Sequence, residues 1–200
     1  MITSARDLIL EFQRELNRKG AALMVDGVFG VNTARAASRF QVAFNLTSLL
    51  RPTKPSTPIA WARGELGQRE VAGPNDNPRI RWYHSHSANI GSREHPDEVA
   101  WCSSFLNAAA DETGFKKTDN ALARSWATYG HDAGDKVAEG DIVVLKTPSS
   151  FHVTLASAPF DRTKAKTFEG LGGNQANTVK LSSFACSHIV ACRKWEPKVG

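Results

Sequence analysis

The hydrophobic pattern of this sequence changes once, near Gly140. Before that point apolar residues recur at helical spacing, as Leu8, Phe12 and Leu16 do in segment 4–18, where Ser4 with Asp7 is typical of a helix start. After it come short runs rich in β-branched and aromatic residues, separated by turn residues, at 141–145, 151–156, 167–170, 178–181 and 189–195. Helices followed by closely spaced strands predict an α+β fold with an antiparallel meander of five to six strands.

A proline-rich segment divides the helical part of the chain. Residues 51–58 contain three prolines, which favour an extended and semi-rigid linker. Thr57 and Pro58 are typical of the N-cap and first position of the next helix. We therefore predict a small module at residues 1–50, a linker at 51–58 and a larger domain at 59–200. Within the module, a second helix is expected from Asn32 or Thr33 to about Phe44.

Charge and hydropathy exclude some classes of function. The net charge is +5, but no run of basic residues concentrates it, which argues against a nucleic-acid partner. No apolar run is long enough to span a bilayer, so membrane insertion is not expected. The first twelve residues lack the pattern of a signal peptide, and we expect synthesis in a cytoplasm. A mild positive charge suits approach to an anionic surface such as a bacterial wall.

Cys102 is the strongest candidate nucleophile. We predict a helix over segment 97–110, with Asp97 near its start and Gly114 ending it. A thiol in the first turn of a helix faces unpaired N–H groups, which favour the thiolate. The alternative is that Cys102 is a small buried residue with no chemistry. Cys186 and Cys192 are expected to remain reduced thiols.

A cysteine nucleophile needs a base and a group that orients the base. His152, at the head of the predicted strand 151–156, is the candidate base. Asn174 follows the next strand and is the candidate orienting group, with Glu169 as its competitor. Cysteine, histidine and asparagine in this chain order is the arrangement of papain-type enzymes. The backbone N–H of Cys102 would serve as an oxyanion donor.

A metal site is the competing interpretation. His84 and His86, if they lie on a strand, would point to one side and could join His95 as zinc ligands. No acidic or cysteine partner stands at a familiar interval, so we expect no metal and no cofactor. The turn-rich loop at residues 70–80 is either structural or one wall of a substrate groove.

The N-terminal residues resemble a small three-helix peptidoglycan-binding module. The matching turn and helix positions are Asp26, Gly27, Phe29, Gly30, Thr33, Ala37, Phe40 and Gln41, with Ala37 one place further along than usual. In that family most of these positions are structural. The resemblance therefore implies a three-helix bundle, and peptidoglycan as the partner.

Residues 58–195 resemble the CHAP-type amidohydrolase/peptidase family of papain-like cell-wall hydrolases. Six motifs match in order, and they comprise Glu70, Gly73, Asp76 to Pro78 and Ile80; Asp97, Glu98, Trp101, Cys102, Phe105 and Asn107; Ala123, Ser125 and Trp126; Gly140 to Val144; His152 and Val153; and Leu171 to Gln175. The resemblance implies that Cys102 is the nucleophile, His152 the base and Asn174 the orienting residue. Glu169 has no settled counterpart. We also expect the substrate to contact Trp101, Asp76, Asn77, Tyr83 and Gln175.

Together these features predict a monomeric, modular peptidoglycan hydrolase of the phage endolysin type. It would be a cysteine endopeptidase or an N-acetylmuramoyl-L-alanine amidase that cleaves an amide in the peptide part of the wall. It would reach the wall from the host cytoplasm by holin-type release, and a bacterial effector exported without a signal peptide is the alternative origin. The alternatives are a catalytically inactive wall-binding protein and a zinc-dependent amidase.

Overall fold

The fold is α+β, as predicted. A computed structural model describes residues 4–40, 55–72, 76–90 and 97–198. The α-helices in these ranges are α1 (Ala5–Arg18), α2 (Val31–Arg39), α3 (Pro58–Gly64), α4 (Pro78–His84) and α5 (Cys102–Thr113), with 3₁₀ helices at Ala123–Thr128 and Cys186–His188. The expected end of the second helix, the third helix of the module and the first half of the linker lie outside the described residues. No described helix has the length and apolarity that a membrane crossing requires.

Helices α1 and α2 enclose a small core of their own. Its buried members are Phe12, Leu16, Leu23 and Ala36. The turn between the helices is held by Gln13, whose Nε2 donates to Asp26 Oδ1 (2.7 Å) and whose Oε1 accepts from Gly27 N (2.9 Å). Gly27 has φ +73°, and a Cβ there would lie 2.6 Å from Arg6 Cγ. The predicted Asp-Gly turn therefore needs glycine for both its backbone angle and its close packing.

Helix α2 begins at Val31, after Gly30, and not at Asn32 or Thr33 as expected. Two other predicted helix starts are capped as their sequences indicate. Ser4 Oγ accepts from Asp7 N at 3.1 Å at the start of α1. Thr57 Oγ1 accepts from Ala60 N at 3.3 Å, with Pro58 at the first position of α3.

Within the described residues the main sheet is antiparallel and has six strands. The strands are β1 (His131–Asp132), β3 (Ile142–Lys146), β4 (Phe151–Ala156), β6 (Thr167–Gly172), β7 (Lys180–Ala185) and β8 (Ile189–Lys194), while β2 (Lys136–Val137) and β5 (Phe160–Asp161) form a separate pair. Their order is β1-β8-β3-β4-β6-β7. The predicted meander is therefore correct only for β3, β4, β6 and β7, because the last strand returns to pair with β3. A local hydrophobic pattern fixes where a strand lies but not its partner.

Alternation along the strands divides the core into two layers. Val144, Val153 and Leu171 belong to the larger cluster, which also contains Phe105 and Leu106 of helix α5. Val143 and Phe168 belong to a smaller cluster. Successive strand side chains point to opposite faces, so each neighbouring pair places one residue in each layer.

A buried ion pair joins α3 to α4. The carboxylate of Glu65, which is 3% exposed, accepts two hydrogen bonds from the Arg79 guanidinium (2.9 and 2.7 Å) and one from the Tyr83 hydroxyl (2.7 Å). The guanidinium also lies over the Trp82 ring, 4.0 Å from its centroid. Burial alone would raise the pKa of Glu65, but the hydrogen bonds and charge of Arg79 outweigh it and hold the pKa below 4.5.

Glu65→Gln tests how much this pair stabilises the fold. We expect the free energy of unfolding at neutral pH to fall by about 3 kcal/mol, because Arg79 loses its buried partner. The pKa of Glu65 is lowered in the folded protein, so its stabilising contribution is present above pH 4.5 and is lost as pH falls through the folded-state value. The difference between the two proteins in urea unfolding should therefore shrink in acid. The control is Glu196→Gln, which breaks the exposed pair with Lys116 and should cost less than about 1 kcal/mol. Equal losses in the two variants would contradict the prediction.

Candidate active site

Cys102 is the first residue of helix α5, which begins later than the predicted segment 97–110, and Gly114 ends the helix as predicted, in the left-handed conformation (φ +83°). The expected role of Asp97 at the helix start is wrong. Trp101 occupies the N-cap position and makes no side-chain capping bond. Asp97 instead accepts from the backbone N–H groups of Val71 (2.8 Å) and Asn77 (2.7 Å).

Burial and hydrogen bonding change the pKa of the Cys102 thiol in opposite directions. Its side chain is 5% exposed, and burial raises its pKa. Hydrogen bonds from the backbone of Val153 and Ser103 lower the pKa but do not outweigh burial, so the pKa lies above 9.0. Ser103 belongs to the helix start, whereas Val153 lies on β4. The expected shift toward the thiolate is not found, because burial keeps the resting thiol protonated.

His152 lies on β4 and is held by Gln175. Its Nε2 lies 3.4 Å from Gln175 Oε1. The Gln175 amide nitrogen donates to the carbonyl oxygens of Gly170 (3.2 Å) and Lys180 (2.6 Å), which fixes the orientation of the amide and leaves its oxygen facing the ring. Nε2 is then the protonated nitrogen, and Nδ1 remains the basic one. Burial lowers the pKa of His152 below 6.5, although the bond to Gln175 opposes this.

Cys102 and His152 line one cavity of about 410 Å³, together with Asn174 and Gln175. The two side chains approach it from different layers of the fold. Cys102 shares the larger core cluster with Val153, whereas the His152 ring packs 5.5 Å from the Phe184 ring, beside the smaller cluster. Within the described ranges no hydrogen bond joins the sulfur to the ring.

Neither of the two residues expected to orient His152, Asn174 or Glu169, is the one that bonds to its ring. Asn174 lines the cavity with a left-handed backbone (φ +56°), but the hydrogen bond to His152 comes from its neighbour Gln175. Glu169 does not line this cavity; its carboxylate accepts from Ser157 Oγ at 3.0 Å. Glu169 lies within β6, before the loop that follows Gly172. Its carboxylate therefore bonds to Ser157 and not to His152.

Gln175 was expected to contact substrate, yet its polar atoms are all engaged within the protein. It is 5% exposed, and Oε1 also accepts from Thr154 Oγ1 at 2.9 Å. Its role toward His152 was missed because the sequence contains adjacent amides, Asn174 and Gln175, and does not show which of them faces the strand. The Leu171 to Gln175 motif located the correct loop.

Two further expected substrate contacts are core residues. Tyr83 and Trp101 are fully buried and stacked on each other, with ring centroids 5.8 Å apart. The Trp101 indole donates to Glu70 Oε1 at 2.8 Å. Burial of Glu70, reinforced by the charges of Asp97 and Glu98, raises its pKa, although the indole bond lowers it.

The loop containing Asp76 and Asn77 starts a helix. Asn77 is the N-cap of α4, where its Oδ1 accepts from Arg79 N at 2.8 Å and its amide donates to Arg69 O at 2.8 Å. Asp76 Oδ1 accepts from Asp97 N at 3.3 Å. Asp76 and Asn77 therefore both bond to Asp97, in the segment that precedes the cysteine helix. Asn75 lies outside the described residues.

His84 and His86 do not lie on a strand, because His84 ends helix α4 and His86 follows it. The two rings have separate partners on α5: His84 Nδ1 lies 3.3 Å from Ser104 Oγ, and His86 Nδ1 lies 3.1 Å from Asp111 Oδ2. His95 lies outside the described residues. Within the described ranges, the one group of three side chains suited to share a metal ion is Asp76, Asp97 and Glu98.

Cys186 and Cys192 are free thiols, as expected. Cys192 is fully buried in β8, whereas Cys186 is partly exposed in the 3₁₀ helix that precedes this strand. Neither residue lines the cavity of Cys102, which makes Cys186 a suitable control position for thiol chemistry.

No family model, no curated protein and no solved structure matches this chain.

The pKa of Cys102 predicts a high titration midpoint. We expect the ultraviolet absorbance of the thiolate, taken as the difference between wild type and Cys102→Ala, to rise with a midpoint above pH 9.0. Burial causes this by disfavouring the charged form. A midpoint below neutral pH would instead show a thiolate paired with an imidazolium in the resting protein.

We expect His152 to titrate with a lowered pKa. In an NMR pH titration its ring resonances, assigned by their loss in His152→Gln, should report a midpoint below 6.5, because burial disfavours the imidazolium. A midpoint above 6.5 would mean that a negative group faces the ring.

Proposed function

We propose that this protein is a peptidoglycan hydrolase that cleaves an amide bond in the peptide part of the bacterial wall, with Cys102 as nucleophile. The observation that carries the proposal is the placement of Cys102 at the first residue of α5, in a cavity also lined by His152. The resemblance of six ordered motifs to CHAP-type hydrolases supports the same assignment.

The neutral resting forms of the two groups define the chemistry. Neutral His152 accepts the thiol proton at Nδ1 as the sulfur attacks the amide carbonyl carbon. The ring then returns this proton to the departing amine, and water releases the acyl group from sulfur. The backbone N–H of Cys102 stabilises the oxyanion. Substrate binding must first bring sulfur and ring within hydrogen-bond reach, since catalytic hydrogen bonds are often long before substrate binds.

In this proposal Gln175 takes the positioning role that was expected of Asn174. Its Oε1 accepts a hydrogen bond from Nε2–H and so leaves Nδ1 as the basic nitrogen of the ring. Asn174, which lines the cavity beside it, is then free to meet the substrate.

The N-terminal module is proposed to hold the enzyme on the wall. Around the Asp26-Gly27 turn, the side chains of Met24 (59% exposed), Val28 (61%) and Val31 (64%) form an uncovered apolar surface within the described ranges. Attachment to an insoluble substrate would raise the local concentration of scissile bonds for the second domain. This organisation suits an endolysin that is made in a host cytoplasm and reaches the wall by holin-type release.

Digestion of purified peptidoglycan tests the proposal. Wild type should release fragments with new amino termini or free stem peptides. Their masses, measured by mass spectrometry, will identify the cleaved bond. Cys102→Ala should reduce the initial rate by about 10³-fold or more, because the nucleophile is lost. Cys186→Ala, which removes a thiol outside the cavity, should leave the rate unchanged.

Two results would overturn the assignment. Equal release by wild type and Cys102→Ala would make the cysteine structural and favour a metal mechanism. No release by either protein, with both sedimenting with the wall, would identify a binding protein without activity.

A further inference from the structure

The cavity that contains Cys102 is lined by basic but not by acidic side chains. Its volume is about 410 Å³, and its lining includes the ammonium-bearing side chain of Lys180 and the imidazole of His188. Within the described residues no carboxylate belongs to this lining. A cavity lined by one sign of charge concentrates ligands of the opposite sign. The lining therefore favours a molecule that carries an anionic group.

Strand β7 presents Lys180 to the cavity as one of three side chains on the same face. Side chains two residues apart along a strand point the same way, and Lys180, Ser182 and Phe184 all line the cavity. The Phe184 ring lies 5.5 Å from the His152 ring. At the other end of this face the carbonyl oxygen of Lys180 accepts from Gln175 Nε2 at 2.6 Å, and Gln175 Oε1 lies 3.4 Å from His152 Nε2. Lys180 therefore lies on a hydrogen-bonded backbone beside the proposed base.

The ammonium group of Lys180 has no carboxylate partner in the described part of the chain. Six of the nine lysines in residues 97–198 do form an ion pair, namely Lys116, Lys117, Lys136, Lys164, Lys194 and Lys198. Two of the other three lie at the cavity. Lys180 is part of its lining, and Lys146 Nζ lies 5.6 Å from the ring centre of Phe151, which also lines it. The third, Lys166, is not among the lining residues. Unpaired positive charge is therefore concentrated where a substrate would enter.

We propose that Lys180 binds a free carboxylate of the peptide substrate, so that the cavity selects acidic peptides; this inference rests on the proposed function. An ammonium group and a carboxylate form a charge-assisted hydrogen bond, which is stronger than a bond between neutral groups. A peptide that contains acidic residues offers such a carboxylate close to its amide bonds. Lys180 thereby determines which amide is presented to Cys102, and it takes no part in bond cleavage.

This role affects binding more than turnover. A hydrogen bond to a charged group changes an affinity by about tenfold or more. Because the bond is present both before and during the reaction, its loss should raise KM and leave kcat nearly unchanged. The side chain of Lys180 is exposed, so the contribution of this bond should also decrease at high salt concentration.

A pair of synthetic peptides tests the proposal. One is the stem peptide L-alanyl-γ-D-glutamyl-diaminopimelyl-D-alanine, and the other is the same peptide with every carboxylate converted to a primary amide. Binding is measured by calorimetry on full-length protein that carries Cys102→Ala, which leaves the peptide intact. We expect the carboxylate peptide to bind about tenfold or more tightly than the amide peptide. Lys180→Met, added to this protein, should remove the difference, and Lys180→Arg should retain it. The matched control is Lys166→Met, which removes an exposed and unpaired lysine outside the cavity and should leave the difference unchanged.

Three results would overturn the proposal: no preference for the carboxylate peptide, a preference that survives Lys180→Met, or an equal loss of preference in Lys166→Met. A structural role of Lys180 would weaken the binding of both peptides by the same factor, and this result too would count against recognition of a carboxylate. Cleavage of the two peptides by protein that retains Cys102 is a separate readout. Selective binding without cleavage would uphold the recognition and reject the hydrolase. Cleavage of both peptides with equal kcat/KM would do the reverse.

Discussion

The arrangement in front of the cysteine helix depends on the buried carboxylate of Glu65. It joins α3 to α4 through Arg79 and Tyr83, and Tyr83 in turn stacks on Trp101, the residue immediately before Cys102. A buried charge of this kind tolerates little displacement, because each lost hydrogen bond leaves an unpaired group away from water. The position of Cys102, the proposed nucleophile, is therefore set by residues remote from the cavity, through a series of packed and hydrogen-bonded side chains.

Burial favours the neutral form of both Cys102 and His152. It raises the pKa of Cys102 and lowers the pKa of His152, so each group favours its neutral form. Such a pair differs from a preformed thiolate–imidazolium pair, and in the proposed mechanism the proton moves as the bond to sulfur forms. The hydrogen bonds at the sulfur, from the Val153 and Ser103 backbone, are then most valuable once charge develops.

Much of the architecture could be read from local pattern. The caps at Ser4 and Thr57, the helix stop at Gly114 and the strand over 151–156 all match the structure, because each depends on residues close in sequence. The errors concern long-range choices. The last strand pairs with β3, Asp97 binds the backbone of a preceding loop instead of its own helix, and the histidines 84 and 86 follow a helix that Asn77 and Pro78 begin.

By itself the sequence determined the class of fold, the position of Cys102 at a helix start and His152 as a strand residue in the same half of the chain. Spacing, capping and turn chemistry act over a few residues, so they are legible without coordinates. Only the tertiary structure decided that Gln175 and not Asn174 meets His152, that Tyr83 and Trp101 are core residues, and that Asp76 joins Asp97 and Glu98. These outcomes depend on which distant segments pack together. They also depend on the face to which each side chain points, and along a strand neighbouring residues point to opposite faces.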